Sequence, residues 1–217
     1  MPHTDPAPAP HDTSSGPPPP PGIGRVEAFS DGVIAIIITI MVLELKPPQL
    51  HAVNSMWTEI LVPMWPKLLA YAWSFLAVGS MWINHHHLLN SLRSASRPLA
   101  WLNLQLLFWM SLVPVSTALI GEHPTVPGAV ATFALVLAAN LVSFLMLRRY
   151  AQGLAPGQGA RGVHSLMVRR NLMGAAMNVA GAVAAFIWLP LGYVLIAGAP
   201  LLFFASPKQA REVEEQE

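Results

Sequence analysis

The sequence predicts an all-α integral membrane protein, and three observations lead there. Hydrophobic residues make up 53% of the 217 residues and Asp, Glu, Lys and Arg only 11%, against about 25% charged in a soluble domain. Mean hydropathy is +0.48. The apolar residues gather into six stretches, none of which alternates with the period of two that a membrane barrel requires. A chain so poor in charge cannot cover its own surface in water, which excludes most soluble enzyme classes. The net charge of +1 offers no bulk basic field for nucleic acid. Cysteine is absent, which removes any disulfide frame, thiolate nucleophile or cysteine-bound metal.

The first 22 residues stand apart. Nine of the 21 prolines lie between Pro2 and Pro21, mixed with Ala, Ser, Thr, His and Asp. Such a segment buries too little apolar surface to offset its ordering entropy and reads as a disordered or polyproline II tail. It lacks the basic start and apolar core of a secretory signal. The first span then runs from Val26 to Leu45 and is stopped by Lys46-Pro47-Pro48. The second covers Pro66 to Ile83, the third Leu99 to Ile120, the fourth Gly128 to Leu147 and the fifth Asn171 to Leu189. The sixth, Pro190 to Phe204, follows directly through Leu189-Pro190. A bilayer core about 30 Å thick needs about 20 helical residues. The last two spans are shorter than that and imply a tight hairpin or a tilted neighbour. The expected plan is a six-helix membrane domain over 23–205 and a charged tail over 206–217.

Orientation follows from the twelve Lys and Arg. With six spans, Arg25, Arg93, Arg97, Arg148, Arg149, Arg161, Arg169, Arg170, Lys208 and Arg211 share one side, and only Lys46 and Lys67 belong to the other. The positive-inside rule places both termini in the cytoplasm of a multi-pass cell-membrane protein.

Polar groups inside the spans are the informative exceptions. The first span carries Glu27, Asp31 and Glu44, three of the eleven acids. An acid at a helix centre costs about 2.5–3.5 kcal/mol on insertion scales, less toward the ends. Asp31 therefore needs a partner, and the candidates on its side are Arg25, the cluster Trp82-Ile83-Asn84-His85-His86-His87, and Asn103 or Gln105. Helical geometry divides this span into two faces. Asp31, Ile34 and Ile38 lie along one; Ile36, Ile40 and Leu43, with Thr39 beside them, lie along another, rotated by about 140°. The second face meets lipid, a neighbouring helix or something more specific.

Consecutive helical residues point about 100° apart, so His85, His86 and His87 cannot all ligate one ion. The i, i+4 spacing of paired zinc ligands is missing, and no metal or cofactor is expected. Hydrogen bonding to the first span, or pH sensing, suits these histidines better. In the fifth span Ala176, Ala180 and Ala184, like Gly181 and Ala185, repeat every four residues and permit close packing. Asn171 and Asn178 share a face there, and Asn140 lies in the fourth span; all three read as interhelical hydrogen-bonding groups. No Gly-x-Ser-x-Gly elbow, phosphate-binding glycine loop or His-Glu-x-x-His occurs, so the chain does not read as an enzyme. A Thr-Val-Gly-Tyr-Gly filter is also missing.

The segment Arg25-Val26-Glu27-Ala28-Phe29-Ser30-Asp31, followed by Gly-Val-Ile-Ala-Ile and then Thr39 and Leu43-Glu44-Leu45, resembles the transmembrane protein 175 family. The family hallmark is an Arg, three residues, then Phe-Ser-Asp, and Arg25, Phe29, Ser30 and Asp31 match it in place. Tyr71 through His87, with Ser74-Phe75 and Trp82-x-x-His85-His86, resembles the family's second helix and the loop after it. Animal members are lysosomal potassium channels with two six-helix repeats in each chain. With one repeat, this chain resembles the prokaryotic form, which assembles as a homotetramer with its first helices lining a central pore.

The resemblance implies a potassium-permeable cation channel in a lipid bilayer. By position, Ile36, Ile40 and Leu43 would form an apolar constriction and Thr39 a selectivity ring, with Glu44 at the outer mouth. Arg25, Phe29, Ser30, Asp31, Trp82, His85 and His86 would form a scaffold fixing the rotation of the first helix, Asp31 bonding to the His85/His86 region or to an Arg25. Two other readings stand beside the channel. One is a proton- or cation-coupled transporter using Asp31 and His85–His87, the other a non-conducting membrane scaffold.

Overall fold

The computed structural model describes residues 22–47, 55–92, 94–154 and 161–204, the side chains of 161–166 and 201–204 excepted, and these described residues form seven α-helices. The proline-rich segment up to residue 21, Arg93 and the tail over 206–217 lie outside the described residues. The helices are α1 (Ile23–Leu43), α2 (Val62–Asn90), α3 (Arg97–Ser111), α4 (Val113–Glu122), α5 (Pro127–Leu154), α6 (Arg161–Ile187) and α7 (Leu189–Phe204). By length and composition five segments suffice to cross a membrane, α3 and α4 counting as one, and Leu189–Pro200 is a shorter apolar helix.

Three boundaries differ from the sequence expectation. The second span starts earlier, in a π-helical turn at Trp57–Leu61, and α2 continues through Asn90. His85, His86 and His87 are therefore helical, where a loop was expected. Two of the three have partners on other helices: His85 Nε2 meets Asn103 of α3, and His86 stands against Glu27 of α1. The third span is broken at Leu112. Pro114 has no N–H to donate, and its ring crowds the carbonyl four residues back, so α3 stops and α4 restarts. Its start is fixed by Ser96, whose Oγ accepts from the Leu99 N–H at 3.3 Å.

Helix α5 is the central element: 72% of its apolar window is buried, against 22% for α1. It packs on α3, α4 and α6, while α1 lies against α2, α3 and α4. One core forms around Ile34, Met41, Leu89, Leu99, Leu106 and Phe144. A second gathers Val130, Phe133, Ala134, Ala182, Ala185 and Ile196 where α5, α6 and α7 meet. At one end Lys67 Nζ pairs with Glu122 Oε1 at 3.2 Å and joins α2 to α4. The Tyr193 hydroxyl donates to the Pro124 carbonyl at 2.7 Å and ties α7 to the α4–α5 turn.

Only Trp188 separates α6 from α7, so the two form the tight hairpin that their lengths imply. The buried side of α6 follows the expected repeat in part: Gly181, Ala184 and Ala185 are buried, with Gly174 and Asn178, while Ala176 and Ala180 are exposed. A Cβ on Gly192 would lie 3.0 Å from both Cα and Cβ of Ala185, and one on Gly181 would lie 2.9 Å from Ile196 Cγ1. Gly192→Val is expected to destabilise the protein by about 1–3 kcal/mol, because helix backbone cannot move aside as a side chain does. Thermal unfolding in detergent reads this out; an unchanged midpoint would contradict the close contact.

Candidate functional site

The candidate site is α1 and the groups that clamp it. Its apolar positions fall on two faces, as the rotation of about 140° requires. Ile34, Ile37 and Met41 are buried against α2–α4. Ile36, Ile40 and Leu43 stand 58%, 41% and 68% exposed on the uncovered face of the single chain. Thr39 is exposed beside them, and Glu44 is half-buried at the C-terminal end of the helix. The Thr39 hydroxyl donates back to the carbonyls of Ala35 and Ile36, at 3.0 and 2.9 Å. That direction commits the hydrogen to the helix and leaves the oxygen's acceptor side free.

The inner side of α1 is held by polar contacts at the Asp31 end. Buried Ser30 donates to the Val26 carbonyl at 2.8 Å and accepts from Asn103 Nδ2 at 2.8 Å. Asn103 Oδ1 in turn meets His85 Nε2 at 2.7 Å. Ser30, Asn103 and His85 are each at most 1% exposed, so this relay across α1, α3 and α2 runs through the interior. Asp31 accepts from the Trp82 indole N–H at 2.8 Å.

One turn earlier, His86 Nδ1 stands 2.9 Å from Glu27 Oε1, a close approach without in-line hydrogen-bond geometry. With its amide matched to its neighbours, Asn90 accepts from His86 Nε2 at 2.9 Å and donates to Glu27 Oε1 at 2.9 Å. The Trp82 and His86 rings stack at 5.7 Å.

The proposed scaffold residues thus divide. Ser30, Asp31, Trp82, His85 and His86 come together. Arg25 is exposed, and among the described residues it pairs with no acid; Asp31 is partnered by Trp82 instead. Phe29 turns outward, 54% exposed. Sequence reasoning named Glu27 and Asn103 without joining them into the network. The signal for Asn103 was an amide in an apolar span facing another polar span. Glu27, Asp31 and His86 also bring one ligand-capable atom each within 4.8 Å of one another. A motif search along a single helix does not see such a grouping, since it spans two.

Residues 25–114, from α1 into α4, match the family model described as endosomal/lysosomal potassium channel TMEM175. The fold matches the crystal structure of a lysosomal potassium-selective channel TMEM175 homologue from Chamaesiphon minutus, with a TM-score of 0.74 and 30% identity, covering 83% of this chain and 95% of that one. The chain belongs to the TMEM175 family. It stands with the prokaryotic members. A protein named potassium channel from Chryseobacterium is 47% identical over 124 residues, 57% of this chain and 62% of the relative. The human protein named endosomal/lysosomal proton channel TMEM175 is 26% identical over 191 residues, 84% of this chain but 38% of its own. The alignments thus span under two thirds of these curated relatives.

Proposed function

We propose that this chain is the subunit of a potassium-permeable cation channel of the cell membrane, with both termini cytoplasmic. Four copies set α1 around an axis and turn Ile36, Ile40 and Leu43 toward it. The observation that carries the reading is the exposed aliphatic stripe on a helix whose opposite side is locked into the bundle. Fourfold closure covers such a stripe and makes a narrow apolar neck, which gates by dewetting. The names of the bacterial relatives add support.

Potassium holds its hydration water less strongly than sodium, so partial dehydration at the neck favours potassium. The free acceptor sides of four Thr39 hydroxyls replace part of the lost water. Glu44 at the outer mouth raises the local cation concentration by its field. The Ser30–Asn103–His85 relay and the Asp31–Trp82 bond fix the rotation of α1, and with it the radius of the neck.

Reconstitution in liposomes under bi-ionic potassium and sodium conditions tests this. The wild type is expected to carry current with a potassium-favouring reversal potential, and Thr39→Ala to move that potential toward zero. Absence of flux returns the chain to a non-conducting scaffold. A second reading, proton movement by way of Asp31 and the histidines, is favoured by the name of the animal relatives, endosomal/lysosomal proton channel, and by the Glu27–Asp31–His86 grouping. Current that follows a pH gradient and ignores a potassium gradient would select it, and strict exchange stoichiometry would mark a coupled transporter.

A further inference from the structure

Five arginines gather where α5 ends and α6 begins. Arg148 and Arg149 lie in the last turns of α5, Arg169 and Arg170 in the first half of α6. The two helices pack antiparallel, and Phe144 and Asn171 line one cavity between them. At 1.5 Å per residue, Arg148 lies about 6 Å beyond Phe144 and Arg170 about 1.5 Å beyond Asn171, toward the same end. The Tyr150 hydroxyl stands 3.0 Å from Ser96 Oγ, which brings Arg97 at the start of α3 to this end as well. Arg148 turns back over the Phe144 ring, 4.9 Å from its centroid, whereas Arg97, Arg149 and Arg169 are exposed. Among the described residues none of the five has an acid within ion-pair distance; the pairs formed are Lys67–Glu122 and His86–Glu27.

A group of arginines without counter-charges suits phosphate, since the planar guanidinium binds its oxygens in pairs where an ammonium acts only as a point charge. The surface next to the arginines tells a lipid phosphate from a soluble one. On α5, Val142 and Met146 share the stripe of Arg149 and are exposed; on α6, Met173, Ala176, Ala180 and Val183 share that of Arg169 and are exposed too. Two neighbouring helices thus each carry an outward apolar stripe capped by an arginine at the same end. That is the profile of an amphiphile with an anionic head and hydrocarbon chains, and an acidic peptide has no use for the stripes.

We propose that the α5–α6 end is a binding site for an anionic phospholipid of the leaflet it faces. The phosphate is held by Arg149 and Arg169, with Arg97, Arg148 and Arg170 adding to the field, and the acyl chains run along the two stripes. Basic groups between membrane helices recognise anionic headgroups in this way.

The test titrates the full chain in a neutral detergent with dioleoylphosphatidylglycerol, followed by native mass spectrometry, beside dioleoylphosphatidylcholine and free glycerol phosphate. Saturable binding of phosphatidylglycerol is expected, about tenfold tighter than that of phosphatidylcholine and about tenfold weaker in the Arg149→Gln/Arg169→Gln variant. Equal binding of the two lipids by the wild type, a comparison that needs no variant to fold, would leave the arginines a role in orientation alone and overturn the site. Equal binding of phosphatidylglycerol by wild type and variant overturns it too. Glycerol phosphate bound as tightly as the lipid would make the ligand a soluble anion. Lipid binding that appears only when Glu212, Glu214, Glu215 and Glu217 are changed to glutamine would give the arginines to that segment of the chain and defeat the proposal.

Discussion

Asn103→Leu is expected to cost about 1–3 kcal/mol of stability and to shorten the life of the assembled protein. Asn103 is the middle of the relay: it donates to Ser30 at 2.8 Å and meets His85 Nε2 at 2.7 Å. Leucine fills the space and leaves the fully buried imidazole without its partner, the expensive way to lose a hydrogen bond. His85→Leu should do comparable harm by orphaning the Asn103 amide oxygen. The combined variant is the sharper measurement. Removing both partners replaces a half-satisfied pair with apolar contact, so the double variant should unfold at a higher temperature than the sum of the two losses predicts. Strict additivity would show that the relay does not act as a unit.

Truncating the exposed stripe of α1 should leave the fold intact and change the current. Ile36→Ala widens an apolar neck in all four subunits of the proposed channel, and single-channel conductance should rise by roughly tenfold, the effect of lowering the barrier by about 1.4 kcal/mol. Selectivity for potassium should fall with it, because a wider neck demands less dehydration. Ile34→Ala is the contrast, two residues away and 1% exposed. That change opens a cavity among helices and should cost about 2–5 kcal/mol in stability, with conductance altered only as far as folding fails. If Ile36→Ala and Leu43→Ala both leave the current unchanged, the ion path lies elsewhere.

Much of the fold was legible because apolar length is a one-dimensional signal. The five membrane-capable segments, the shorter apolar helix after them, their order and the α6–α7 hairpin follow from run lengths and from Leu189-Pro190. What hydropathy misread were polar residues that stay helical. Asn84 to His87 looked like the end of a span, yet α2 carries them to Asn90, because Glu27, Asn103 and Asn90 receive the imidazoles. The break at Leu112 was written in Pro114 but hidden by the unbroken hydropathy on either side. For the site, helical rotation separated Ile34 from Ile36 and named Trp82, His85 and Asn103 as candidates. Which of them meets which is set by the rotation and depth of neighbouring helices, and no single-helix pattern encodes that.

The α6–α7 pair has a consequence for biogenesis. With 16 residues, α7 extends about 24 Å, short of a hydrocarbon layer of about 30 Å. Its proximity to Ala185 through Gly192 supplies a polypeptide wall on one side, so the last two segments are suited to leaving the translocon together as one wedge.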